Sequence, residues 1–164
     1  MVELKVAEIR VTGADSPPVV VLAELNGAGR RLPIWMSHGG AAAILSATED
    51  PDESRPSIHD VAGQLLGAGS DLNLTSVRIG GGEDGQFFAE LVLPSRVVPA
   101  RPSDAIALAL RVHCPITCTE EFLAEFGVAA DAAPPVPAED EVERFLEFLD
   151  KVTPEDFSGD DSQP

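Results

Sequence analysis

The chain has no tyrosine, one tryptophan and only two cysteines in 164 residues. Two thiols make no disulfide framework, so a thiol-tolerant, cytoplasmic location is expected. No apolar run approaches the roughly 18 residues of a membrane span. The segment Met1–Val6 alternates like a strand and lacks the basic-then-apolar order of a signal peptide. Basic residues are scarce: 11 Lys and Arg face 28 Asp and Glu, a formal charge of −17. Strong nonspecific binding to nucleic acid rests on clustered Lys and Arg, so composition argues against that class. The acid is also uneven. Residues 1–128 carry 17 acids and 9 bases, whereas residues 129–164 carry 11 and 2.

What remains is an ordinary globular share of apolar residues, 44%, in a length that suits one domain with a tail. Residues 2–12 predict a strand whose apolar phase switches between Leu4/Val6 and Ile9/Val11. A bulge near Ala7-Glu8 accounts for the switch. Val19–Leu25 and Arg31–Met36 predict a hairpin around Asn26-Gly27-Ala28-Gly29. Ala41–Thr48 predicts a helix with Ala41, Ile44, Leu45 and Thr48 on one face. Ser57 predicts a cap, with Asp60 completing a weak capping box, for a helix whose apolar face is Ile58, Val61, Leu65 and Leu66.

Leu72–Ile79 and Gln86–Leu93 predict two strands joined by a loop containing Gly80, Gly81, Gly82 and Gly85. No Lys-Ser/Thr follows those glycines, so they are no phosphate cradle. Pro102 and Ser103 open a helix through Val112, Pro115–Cys118 predicts a short strand, and Thr119 caps a last short helix ending at Gly127. Residues 129–138 read as an Ala/Pro linker. Val142, Phe145, Leu146, Leu149 and Val152 then predict an acidic amphipathic helix within 139–157, and residues 158–164 predict a disordered end. The stripe of that helix calls for docking on the body or on a neighbouring subunit. Mixed strand and helix blocks predict an α+β class, one domain over 1–128 with a mixed or antiparallel sheet flanked by helices.

Chemistry concentrates at two helix starts. His59 beside Asp60 is either a titrating acid, base or metal ligand, or a structural cap. Arg101-Pro102-Ser103-Asp104 joins a forked donor to a helix N-terminus, which favours a phosphate, or serves only as capping. A carboxylate there suits a divalent metal with phosphate oxygens. His38 and His113 read as structural or solvent-facing. Cys114 and Cys118 suit no common zinc spacing and predict buried free thiols.

The block Arg101-Pro102-Ser103-Asp104-Ala105-Ile106-Ala107-Leu108-Ala109-Leu110-Arg111 closely resembles the signature of the bacterial bifunctional nuclease family. Leu32-Pro33-Ile34-Trp35, Arg55-Pro56 with His59-Asp60, and Asp84-Gly85-Gln86-Phe87-Phe88-Ala89 resemble further blocks of that family in the same order, and the acidic tail resembles actinobacterial members. The resemblance implies cleavage of DNA and RNA by an α+β domain found in oligomers. It nominates His59, Asp60, Arg101, Ser103 and Asp104 as catalytic candidates. His59 would act as general base, Asp60 and Asp104 as metal ligands or His-orienting groups, and Arg101 as phosphate clamp. Arg55, Arg111, Trp35 and His38 are the substrate-binding candidates. The expected cofactor is a divalent cation, Mg²⁺ or Mn²⁺. The expected partners are nucleic acid and further copies of the chain, with no membrane. The sequence departs from the family where Ile-Gly-x-x-Glu-Ala is usual after the tryptophan. Here Met36-Ser37-His38-Gly39-Gly40-Ala41 stands, with Gly40 in place of the acid. A repurposed ligand-binding module, its pocket enlarged by Gly40, or a divergent biosynthetic enzyme is the alternative on the same scaffold.

Overall fold

The structure is a computed structural model that describes residues 1–11, 13, 16–51, 54–70, 72–81 and 86–130. The predicted linker beyond residue 130, the acidic helix, the chain end and most of the glycine loop lie outside the described residues.

Seven strands and four helices are described. They run β1 (Val2–Arg10), β2 (Val19–Glu24), β3 (Arg31–Trp35), α1 (His38–Ala47), α2 (Ile58–Leu66), β4 (Ser76–Gly81), β5 (Phe87–Val92), β6 (Val97–Ala100), α3 (Pro102–Val112), β7 (Ile116–Cys118) and α4 (Glu120–Phe126). The strands form one mixed sheet in the order β3-β2-β1-β7-β4-β5-β6. Every pairing is antiparallel except β4 with β7. This is an α+β fold. No helix among the described residues is long and apolar enough to cross a membrane.

The phase switch in β1 has the expected cause. The register against β2 shifts between Val6 and Glu8, which leaves Ala7 as the extra residue of a bulge. The slip keeps Leu4, Val6 and Ile9 on one face, because a one-residue offset swaps the sides of a strand. The β2–β3 hairpin turns where expected, with Gly27 at φ +129° and Gly29 at φ +69°, conformations that glycine adopts without a Cβ penalty. Both sheet edges carry a proline, Pro33 in β3 and Pro99 in β6, which removes an N–H that could recruit another strand. The core joins Leu4, Val20, Leu22, Leu32, Val77, Ile79, Ala89 and Leu91 of the sheet to Ile44 of α1 and Ala105, Ile106 and Ala109 of α3.

Four expectations need correction. β6 was not expected. Its Val97-Val98 pair is short and Pro99 obscures the pattern, yet a turn closed by Leu93 N–H on the Arg96 carbonyl folds it back on β5. β4 begins at Ser76 rather than Leu72, and Gly80 and Gly81 belong to it rather than to the loop. In α1 the buried face is Gly40, Ala41, Ile44 and Ala47, whereas Leu45 and Thr48 face outward. The largest correction is α2. Of its four predicted apolar residues only Leu66 packs against the core; Ile58, Val61 and Leu65 are 75%, 40% and 61% exposed, and Asp60 is its one buried residue. The rotation follows from polar anchors, described next, that draw Asp60 inward.

Candidate functional site

Two helix N-termini meet at the candidate site, and their sequences dictate how each begins. Ser57 caps α2. Its hydroxyl accepts from the Asp60 N–H, and the Asp60 carboxylate accepts from the Ser57 N–H at 2.7 Å, a complete capping box. α3 starts differently. Pro102 suits the first helical position, but Arg101, in the cap position, supplies no side-chain cap. Instead Asp104, in the positive first turn, draws the Arg101 guanidinium back over the helix start, Nε to Oδ2 at 2.7 Å.

α2 packs against α3, and this brings His59 across to Asp104, Nε2 to Oδ1 at 3.2 Å. One carboxylate therefore bridges an imidazole and a guanidinium. Arg101 first, then His59, hold the Asp104 carboxyl below its ordinary range against the opposing effect of burial. An ionised carboxylate only accepts, so His59 Nε2 carries the proton of this contact. The Arg101 side chain is 76% exposed, and its terminal nitrogens make no hydrogen bond within the described residues.

Asp60 faces the other way. Its Oδ1 lies 2.7 Å from Arg111 Nε, with both side chains almost wholly buried. That contact is an ion pair rather than an aligned hydrogen bond. The other Arg111 nitrogens donate to the carbonyls of Glu49 at 2.6 Å and Ser46 at 2.8 Å. The Ser57 hydrogen bonds, more than Arg111, hold the Asp60 carboxyl low. Asp60 and Arg111, expected at the reaction centre and on substrate, instead tie α2, α3 and the end of α1 together. This tie explains why α2 turns Asp60 inward and leaves Ile58, Val61 and Leu65 outside.

His59, Asp104 and Arg101 are thus brought together, and Asp60 and Arg111 stand apart from them. His38, the first residue of α1, and Arg55, before α2, are both exposed. Trp35 ends β3 and lines a cavity of about 590 Å³ with Met36, Phe87, Arg101, Ser103 and Phe126. Sequence reasoning missed Phe126 and Met36. Their signal is only apolar, and nothing local shows that Phe126 of α4 and the end of β3 line one cavity.

The expected divalent cation finds no resident cage. Among the described residues no group of three or more His, Cys, Asp and Glu is placed to hold a metal ion. Both candidate carboxylates are already engaged, Asp104 by His59 and Arg101 and Asp60 by Ser57 and Arg111. The donor set does not fit a protein-held metal.

Residues 20–131, which contain both helix starts and the cavity, match the family model described as bifunctional nuclease domain. The chain belongs to the bifunctional nuclease family. Two relatives, both called uncharacterized proteins, come from Mycobacterium tuberculosis strains CDC 1551 and H37Rv. Each is 41% identical over 163 residues, covering 96% of this chain and 98% of the relative.

Membership gives the Gly40 departure its meaning. A Cβ at Gly40 would lie 2.8 Å from Ser103 Cβ and 2.9 Å from Ser103 Oγ. The space an acid would occupy is filled by α3, which packs close on α1. Gly40 does not itself line the cavity, contrary to the expectation of a pocket enlarged at this position; it makes room for Ser103, which does. The two thiols are free as expected, Cys118 buried and Cys114 half-buried, and burial pushes both up to about 11.

Proposed function

We propose that this bifunctional nuclease domain hydrolyses phosphodiester bonds at the His59–Asp104–Arg101 cluster. The observation that carries the reading is the bridging Asp104 carboxylate, 3.2 Å from His59 Nε2 and 2.7 Å from Arg101 Nε. It orients an imidazole and a guanidinium toward one helix N-terminus, where anions are favoured.

The chemistry follows from the atoms. Asp104 fixes the proton on Nε2, so Nδ1 accepts a proton from water, as a carboxylate orients the histidine of a hydrolase triad. The water oxygen forms the new P–O bond as the bond to the leaving oxygen breaks. The leaving oxygen, in line on the far side of phosphorus, takes its proton from solvent, and Nδ1 releases its own to solvent. Arg101's terminal N–H groups and the α3 N-terminus meet the growing charge on the phosphoryl oxygens. General-base assistance contributes roughly 10²–10⁴-fold. No step here passes through a metal, and a cation would arrive with the substrate phosphates.

The test is cleavage of labelled single- and double-stranded DNA and RNA in Mg²⁺, Mn²⁺ or EDTA, beside His59→Ala and Asp104→Asn. Cleavage that falls in both variants by roughly 10²-fold or more supports the site. No cleavage, or cleavage the variants leave intact, refutes it. The apolar cavity beside the cluster favours a second reading, a ligand-binding module without hydrolysis, and the same assay separates the two.

A further inference from the structure

We propose that the cavity between the end of β3, the start of β5 and the α3 N-terminus is a binding site for one nucleotide unit. The phosphate sits on Ser103, Arg101 and the first turn of α3, and the base lies against Trp35, Phe87 and Phe126. The proposal rests on the phosphodiester reading for the position of the phosphate, which shares Arg101 with it.

Two independent features mark the anion end. First, α3 has no side-chain cap, and its earliest intrahelical bond is Ala105 N–H to the Arg101 carbonyl. The Ser103 and Asp104 N–H groups ahead of it have no partner among the described residues. Orphan donors at a helix start are anion ligands. Second, Ser103 is only 7% exposed, yet it lines the cavity and its hydroxyl has no hydrogen-bond partner among the described residues. The hydroxyl oxygen is not sealed in the core but still reaches solvent, and Ser103 lines the cavity, so the hydroxyl is open to a guest there. Gly40 is the reason Ser103 can stand there, since a side chain at 40 would collide with it.

The rest of the cavity names the other half of the ligand. At about 590 Å³ it is far larger than a phosphate and falls in the range of small-molecule sites. Trp35, Met36, Phe87 and Phe126 line it, and the Phe87 and Phe126 rings meet edge to face with centroids 5.3 Å apart. Phosphate alone would leave this wall wet. A flat aromatic group covers it, and bases stack on aromatic side chains whatever their sequence. Gln86, also in the lining, carries both a donor and an acceptor for a base edge.

The chain supplies its own probe. Trp35 is the single tryptophan, and there is no tyrosine, so intrinsic emission reports from this wall. The experiment titrates the full chain with adenosine 5′-monophosphate, adenosine and inorganic phosphate while following Trp35 emission. The expected result is saturable quenching by the monophosphate, with affinity about tenfold or more above either fragment. Ser103→Ala weakens the monophosphate and phosphate, and Phe126→Leu weakens the monophosphate and adenosine but not phosphate. Each variant's thermal transition shows that it is folded. Absence of saturable quenching, or a monophosphate bound no better than phosphate, overturns the proposal. So does a folded Ser103→Ala with unchanged affinity. Monophosphate binding in a protein that cleaves nothing supports the proposal and removes only the hydrolytic reading. Cleavage without monophosphate binding overturns the proposal and leaves hydrolysis standing.

Discussion

Gly39 and Gly40 are neighbours in the first turn of α1, and alanine at each should act in opposite directions. Neither has the positive φ that strains an L side chain. A Cβ at Gly39 meets nothing nearer than Ser37 Oγ at 4.0 Å, so Gly39→Ala recovers backbone entropy and stabilises by up to about 1 kcal/mol. A Cβ at Gly40 meets Ser103 Cβ at 2.8 Å and Oγ at 2.9 Å. Overpacking of that kind costs roughly 1–3 kcal/mol, and the same entropy gain offsets up to about 1 kcal/mol. The expected net effect of Gly40→Ala is destabilisation of order 1 kcal/mol, a drop of a few degrees in Tm. Ser103→Ala should not rescue it, because Ser103 Cβ alone is already too close. Ser103→Gly should, so a double-mutant cycle with Ser103→Gly shows positive coupling and one with Ser103→Ala little. Urea denaturation of the single and double variants reads all of this. If Gly40→Ala stabilises as much as Gly39→Ala, α3 does not press on α1 at this point. The account of Gly40 then fails.

Asp104 makes a pH-dependent contribution whose sign is fixed by its lowered carboxyl. The folded group titrates below the ordinary 3.8, so its stabilisation is complete above that pH and lost as pH falls through the folded value. The stability gap between the parent and Asp104→Asn should therefore close in acid, which urea midpoints across pH will show. Ser57→Ala removes the cap of α2 and should cost about 1 kcal/mol, measured as a lower urea midpoint at unchanged slope. Arg111→Met leaves Asp60 buried without its cation and frees two carbonyls, so it should destabilise far more than Arg101→Met at the exposed end of the same helix. Equal losses would refute the tie. Both thiols, raised to about 11, should react slowly with iodoacetamide at pH 8 in the folded chain and quickly in urea.

The local rules of the chain were legible wherever one residue's conformation decides the outcome. Gly27 and Gly29 turned the first hairpin, and Ser57 and Thr119 capped their helices. Pro102 opened α3, and the phase break in β1 marked its bulge. The eleven residues from Arg101 to Arg111 also identified the family, and they placed three of the five catalytic candidates, Arg101, Ser103 and Asp104, at one helix start. What the chain could not show was which side of a helix faces inward when both sides have a claim. The apolar stripe of α2 argued for one orientation, and the Asp60–Arg111 pair, 51 residues apart in sequence, enforced the other. The same holds for the cluster. His59 and Asp104 lie far apart in the chain, and only α2 against α3 brings an imidazole to a carboxylate. The cavity wall is assembled from β3, β5, α3 and α4, whose apolar residues look locally like any other core. Backbone conformation is written residue by residue. Burial and contact are properties of pairs, and the partners are chosen only when the chain closes on itself.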